Sequence, residues 1–172
     1  MEKPKFERVE DVKVDNLIKT SDVLVNPESG LVMVVIKPEA YKNKKQIIQR
    51  LNDSGLYVVA TRSRELPDRF VSGVMYKDLP RGIEEETLRQ FNSGPAEIIL
   101  LRGGKDVIQK VISMTGGKTN PAECDEKTIR YEFGEHFGRK SEDGKISFRN
   151  AIHRGKDPKE QQEDLEKFKD LL

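Results

Sequence analysis

Apolar residues along this chain gather in runs whose length and spacing identify their elements. LVMVVI at 31–36 is uninterrupted, of strand length, and halted by Pro38; such a run predicts a strand covered on both faces. LYVVATRSREL, from Leu56, begins apolar and then alternates, which puts Arg62 and Arg64 on one side of a second strand. GPAEIILLRGG, from Gly94 to Gly104, predicts a third strand bounded by glycines. Helical spacing joins Ile47, Ile48 and Leu51 before Gly55, and Val107, Val111 and Met114 before Gly116–Gly117. Two shorter helices are predicted over 67–79 and 82–92, divided by the break Leu79–Pro80–Arg81–Gly82. PKEQQEDLEKFKDLL opens with Pro158 and sets Leu165, Phe168, Leu171 and Leu172 along one side, a closing amphipathic helix.

The 40 residues from Lys118 to Asp157 are polar and lack a period, which inside a compact domain predicts a functional loop system. Within it, Asp143–Gly144 marks a turn, KISF a short strand after it, and NAIH another. The order is strand–helix–strand–strand–helix–strand. The expected class is α+β: a ferredoxin-like βαββαβ antiparallel sheet with added helices. Residues 1–30 mix charges with scattered valines and end in the turn NPESG, so they are read as an N-terminal extension to a domain at 31–172.

Composition narrows the function. The 31 basic and 30 acidic residues nearly cancel, so charge points to neither nucleic acid nor an anionic membrane. One cysteine, Cys124, allows no internal disulfide, and with two histidines it leaves no set of structural zinc ligands. The longest apolar run is far too short to cross a bilayer, and the N-terminus has no secretory apolar core. A soluble cytoplasmic domain is expected. RNA binding on such a sheet would need aromatics on the central strands, and LVMVVIK and AEIILLR have none.

The candidate chemistry begins with FRNAIHRGKD, where His153 sits among cations. Cations would keep the imidazole neutral and nucleophilic, and would also draw a polyphosphate to it. GGKT at 116–119 is not a phosphate loop of the Walker kind: it lacks the upstream glycine and follows a helix. Six fragments in order are more telling: VVIKPEA, YKDL, NSGPAEIILL, KTNPAE, KTIRYEFG and RNAIH. Together they resemble the nucleoside diphosphate kinase family, over about Leu31 to Phe168.

The resemblance implies transfer of a γ-phosphoryl group from a nucleoside triphosphate to a nucleoside diphosphate, through a phosphohistidine on His153. It implies Mg²⁺ carried by the nucleotide phosphates, and a homo-oligomer, hexameric or tetrameric. By position, Lys37 matches a lysine at the transferring phosphate and Tyr76 a tyrosine beside the nucleophile. Thr119 and Arg130 match holders of the β- and γ-phosphates, Asn150 a contact to sugar and phosphate, and Pro121 a turn beside the site. Asp164, or Glu163 one residue earlier, matches the carboxylate that orients the histidine ring; the offset from His153 favours Asp164.

The chain also departs from the family. Gly155 stands where a serine supports that carboxylate, and Arg154 adds a cation expected directly beside His153. A family arginine falls at Ile112 or Ser113, with Lys110 or Lys118 as substitutes. Losing such a contact costs about 1.5–3 kcal/mol. No aromatic is available in LPRGIEEE to stack on a base, only Ile83, and KSEDGKISF reads as an insertion, leaving Arg139 or Arg149 as the arginine before N-x-x-H. These departures keep open a nucleotide-binding regulatory relative with little or no turnover.

Overall fold

The computed structural model describes residues 30–172. Strands β1 (Leu31–Ile36), β2 (Tyr57–Arg64), β3 (Ala96–Arg102) and β6 (Ile152–Arg154) form one antiparallel sheet in the order β2-β3-β1-β6. β4 (Arg139–Lys140) and β5 (Ile146–Ser147) form a separate hairpin. The helices are α1 (Lys44–Asp53), α2 (Asp68–Phe70), α3 (Arg81–Phe91), α4 (Val107–Thr115), α5 (Ile129–Phe133) and α6 (Pro158–Phe168). This order and pairing are the ferredoxin-like α+β arrangement with added helices.

The uninterrupted LVMVVI run is explained by what lies on each side. Val32, Val34 and Ile36 pack with Ile47, Leu51 and Val111, on the layer of α1 and α4. Leu31, Met33 and Val35 pack with Phe91, Leu165 and Phe168, on the layer of α3 and α6. All six strand residues are buried because side chains alternate between two apolar layers. Each fully buried aliphatic contributes about 1.5–3 kcal/mol, so an aspartate at Val34 would break the sandwich.

Two expectations change. The helix predicted over 67–79 is only α2, continuing as a wide π turn from Val71 to Met75 that leads to Tyr76. The long polar segment is more ordered than its composition suggests: it holds α5 and the β4–β5 hairpin. α5 is five residues long, about one turn, too short to show a period. Its signal was the cap, Thr128, whose side chain accepts from the Tyr131 N–H.

Candidate active site

β6 contributes three residues, and alternation divides their tasks. Ile152 belongs to the α1–α4 layer, and Arg154 on that same face bonds to the end of α4. His153, paired with Val35 of β1, therefore faces the layer of α3 and α6. The chain enters β6 through Ala151, whose φ of 69° is left-handed and strained for a residue with a Cβ. Its N–H donates to Glu39 Oε1 at 3.0 Å, and its carbonyl accepts from the Lys37 N–H at 2.8 Å. The end of β1 thus holds the bend that aims the histidine.

His153 is gripped at both ring nitrogens. Nε2 lies 2.9 Å from Asp164 Oδ2, and Nδ1 lies 3.3 Å from the Tyr76 hydroxyl. The Tyr76 and His153 rings meet edge-on, 5.4 Å apart at 86°. Burial holds the Tyr76 phenol well above its ordinary range, so its O–H donates and Nδ1 accepts. Nε2 then carries the hydrogen, donated to the Asp164 carboxylate. Asp164 lies on the buried stripe of α6 with Gln161, Leu165 and Phe168, whereas Glu163 is exposed. Helical phase thus agrees with the offset from His153, which favoured the aspartate over Glu163.

Two buried cations, Lys37 and Arg130, line the same cavity as the ring. Lys37 is 6% exposed, and its Nζ lies 5.7 Å from the Tyr76 ring centre. Burial pushes the Lys37 ammonium down to about 8, with Glu39 opposing and Arg130 reinforcing the shift. Arg130, on α5, donates from Nη1 to the Lys118 carbonyl at 2.8 Å and from Nη2 to the Ile152 carbonyl at 3.2 Å. Its buried Nε has no protein partner, and burial, followed by nearby Arg154, pulls the group down to about 10. Asn150 donates to the Thr119 carbonyl at 3.2 Å and leaves its buried Oδ1 without a protein partner.

These residues line one cavity of about 270 Å³: His153, Lys37, Tyr76, Arg130, Thr119 and Asn150. Asp164 stands behind the ring. Leu79 and Ile83 bring apolar surface from the α3 side, and Ile146 and Phe148 from the hairpin side. A polar, cationic end and an apolar rim suit a ligand with a phosphate tail and a flat ring. Pro121, buried, begins the short 3₁₀ turn after Asn120.

Several residues were not singled out by sequence reasoning. Glu39 accepts from Ala151 and also from Gln90 Nε2 at 2.7 Å, and its signal was present in VVIKPEA. Glu86 accepts from Arg149 at 3.1 Å, with Arg139 at 3.6 Å and Arg89 at 2.5 Å. It sits in the run Glu84–Glu85–Glu86, where only helical phase separates the buried carboxylate from its neighbours. Arg139 and Arg149 converge on that one carboxylate, and Arg149 also lines the cavity. The expectation for Arg154 is corrected. Its side chain leaves the opposite face of β6 and bonds to Thr115 and Gly116, because neighbours on a strand point apart. Lys110 and Lys118, both exposed, do not line the cavity.

Among the described residues, no group of three or more His, Cys, Asp or Glu is placed to hold a metal ion. Nor is any described helix long and apolar enough to cross a membrane.

Fold and cavity together define a ferredoxin-like domain with a histidine set in a cation-lined cavity. A sequence model described as nucleoside diphosphate kinase matches residues 31–170, and the chain belongs to that family. The nucleoside diphosphate kinase of Methanothermobacter thermautotrophicus is 30% identical over 139 residues, covering 80% of this chain and 85% of that protein. That of Methanocaldococcus jannaschii is 34% identical over 102 residues, covering 58% and 71%. Among solved structures, a transition-state mimic of the Borrelia burgdorferi enzyme with bound vanadate and ADP superposes with a TM-score of 0.67 at 18% identity, covering 80% of this chain and 85% of that one. The Aquifex aeolicus enzyme gives 0.66 at 22% identity, covering 80% and 93%. These two structures share the fold.

Proposed function

We propose that this protein transfers the γ-phosphoryl group of a nucleoside triphosphate to a nucleoside diphosphate through a phosphohistidine at Nδ1 of His153. The observation that carries this reading is the imidazole itself: Asp164 occupies Nε2, and the ring lines a cavity with Lys37 and Arg130, where the long 3.3 Å contact from the Tyr76 hydroxyl to Nδ1 gives way as phosphorus arrives. Nδ1 attacks the γ-phosphorus, a P–N bond forms, and the bond to the β–γ bridging oxygen breaks as the nucleoside diphosphate leaves. Positive charge developing on the ring is stabilised by the Asp164 carboxylate against Nε2–H. A terminal oxygen of the second diphosphate then attacks phosphorus, the P–N bond breaks, and His153 is restored.

Lys37, Thr119 and Arg130 hold the phosphates, Tyr76 positions Nδ1, and Asn150 reaches the sugar side. Among the described residues no acidic cluster is placed to hold a metal ion, so a Mg²⁺ ion would arrive with the nucleotide and would supply charge neutralisation to its phosphates beside Lys37 and Arg130. Residues 31–172 act as the catalytic domain, with 1–30 as an extension outside it. The protein works as a homo-oligomer, a hexamer or tetramer, in the cytoplasm. A regulatory relative without turnover is the lesser reading, since the nucleophile, its orienting carboxylate and its cations are all assembled.

The test is conversion of diphosphate to triphosphate, wild type beside His153→Ala. Wild type alone should turn over, and should take an acid-labile, alkali-stable label from γ-labelled triphosphate. Equal activity in both proteins would end the proposal, and label that never passes to a diphosphate would favour the regulatory reading.

A further inference from the structure

The turn from Gly116 to Thr119 has no regular structure, yet three of its four carbonyls are held by side chains from elsewhere. Asn150 holds Thr119, Arg130 holds Lys118, and Arg154 holds Gly116 through Nη2 at 2.7 Å. Arg154 also donates from Nε to the Thr115 hydroxyl at 3.1 Å, and that hydroxyl donates to the Val111 carbonyl at 2.7 Å. The base of the turn is thereby locked to the last coil of α4. Gly116 has φ of 109°, and a Cβ there would meet Cys124 Sγ at 2.8 Å, so only glycine fits where the turn leaves the helix. Asn150 and Arg130 line the cavity, but Arg154 does not. Its route to the phosphate site runs through the turn it holds and through Arg130, which lies beside it.

We propose that Arg154 is a positioning residue for polyphosphate: it fixes the Gly116–Thr119 turn from behind, so that Thr119 and Arg130 meet the terminal phosphates as one preformed surface. This rests on the phosphoryl-transfer reading and adds the device that sets its anion site. Among the described residues no carboxylate hydrogen-bonds either guanidinium; their partners are carbonyl oxygens and one hydroxyl, with Glu160 acting on Arg154 only through its charge. Each group is pulled below the usual arginine range, chiefly by burial. Two neighbouring buried cations hydrogen-bonded only to neutral groups favour added negative charge, which the phosphates of a bound nucleotide supply.

The test compares binding of AMP, ADP and inorganic tripolyphosphate to wild type, Arg154→Met and Arg154→Lys by calorimetry, with folding checked by circular dichroism. AMP affinity should hold, ADP affinity should fall, and tripolyphosphate affinity should fall most, by about tenfold in Arg154→Met. Arg154→Lys should fail to restore it, because an ammonium cannot bridge Thr115 and Gly116 as a planar fork does. Combined with Arg130→Gln, the losses should be less than additive, since both act on one turn. If Arg154→Met does not fold, Thr115→Val keeps the guanidinium and removes one of its contacts; it should weaken tripolyphosphate about threefold. Wild-type affinity in the folded variants, or an equal loss for AMP and tripolyphosphate, overturns the proposal. Failure of wild type itself to bind ADP or tripolyphosphate would instead sink the phosphoryl-transfer reading.

Discussion

Asp164 lies 11 residues beyond His153 and returns on α6 to place Oδ2 2.9 Å from its Nε2. The imidazole is 15% exposed and the aspartate 6%, so the contact is sheltered from water and sets the tautomer. Asp164→Asn tests this. The amide would donate to Nε2 and move the ring hydrogen to Nδ1, the nitrogen proposed to attack. Turnover should fall about a hundredfold or more with an unchanged melting temperature, as steady-state kinetics and calorimetry would show. Wild-type turnover would rule out the orienting role.

Tyr76→Phe removes a longer contact. Its hydroxyl sits 3.3 Å from Nδ1, while the ring keeps its packing near Phe91. The loss corresponds to about 0.5–1.5 kcal/mol, so turnover should drop about twofold to tenfold. A drop as large as that of Asp164→Asn would mean that Tyr76 takes part in the chemistry itself.

Lys37 makes both stability and binding depend on pH. In the native protein it releases its proton near pH 8, in the unfolded chain near 10.5. Between those values the unfolded chain holds the extra proton, so the free protein's stability rises with pH across the window and carries the full burial cost below it. Polyphosphate favours the protonated form, so ADP affinity should fall as pH climbs past 8. Melting curves with and without ADP, from pH about 7 to about 10, would show the two trends. Lys37→Met should flatten both.

Glu86 ties α3 to the hairpin. Glu86→Gln would leave Arg149, with a side chain 16% exposed, short of its carboxylate. The hairpin would keep the Gly82 N–H to Asp143 contact at 3.3 Å and the Arg139 pair with Glu135 at 3.0 Å. A loss of about 2 kcal/mol is expected, lowering the melting temperature by about 4–8 °C. Limited proteolysis should then cut first between 139 and 147. An unchanged cleavage pattern would show that the hairpin is held without Glu86.

Much of this was legible along the chain. The unbroken LVMVVI run announced a strand covered on both sides, the periodic apolar residues placed α1, α4 and α6, and the ordered fragments pointed to His153, Lys37, Tyr76, Thr119, Arg130 and Asn150. These are local signals: period, punctuation and motif survive without knowledge of what lies across the fold. The π turn before Tyr76 and the single turn of α5 stayed hidden, since neither is long enough to show a repeat.

What the amino-acid order determined by itself was the set of elements, their succession and the residue types able to handle a phosphate. Tertiary structure alone decided which arginines share Glu86 and on which face Arg154 emerges, and it settled on Asp164 where the offset had only favoured it over Glu163. Strand alternation turns adjacent residues to opposite layers, and helical phase buries one glutamate of three. Whether a charged group is a surface solute or a buried, costly ligand-seeker depends on the layer packed against it, and that layer comes from distant parts of the chain.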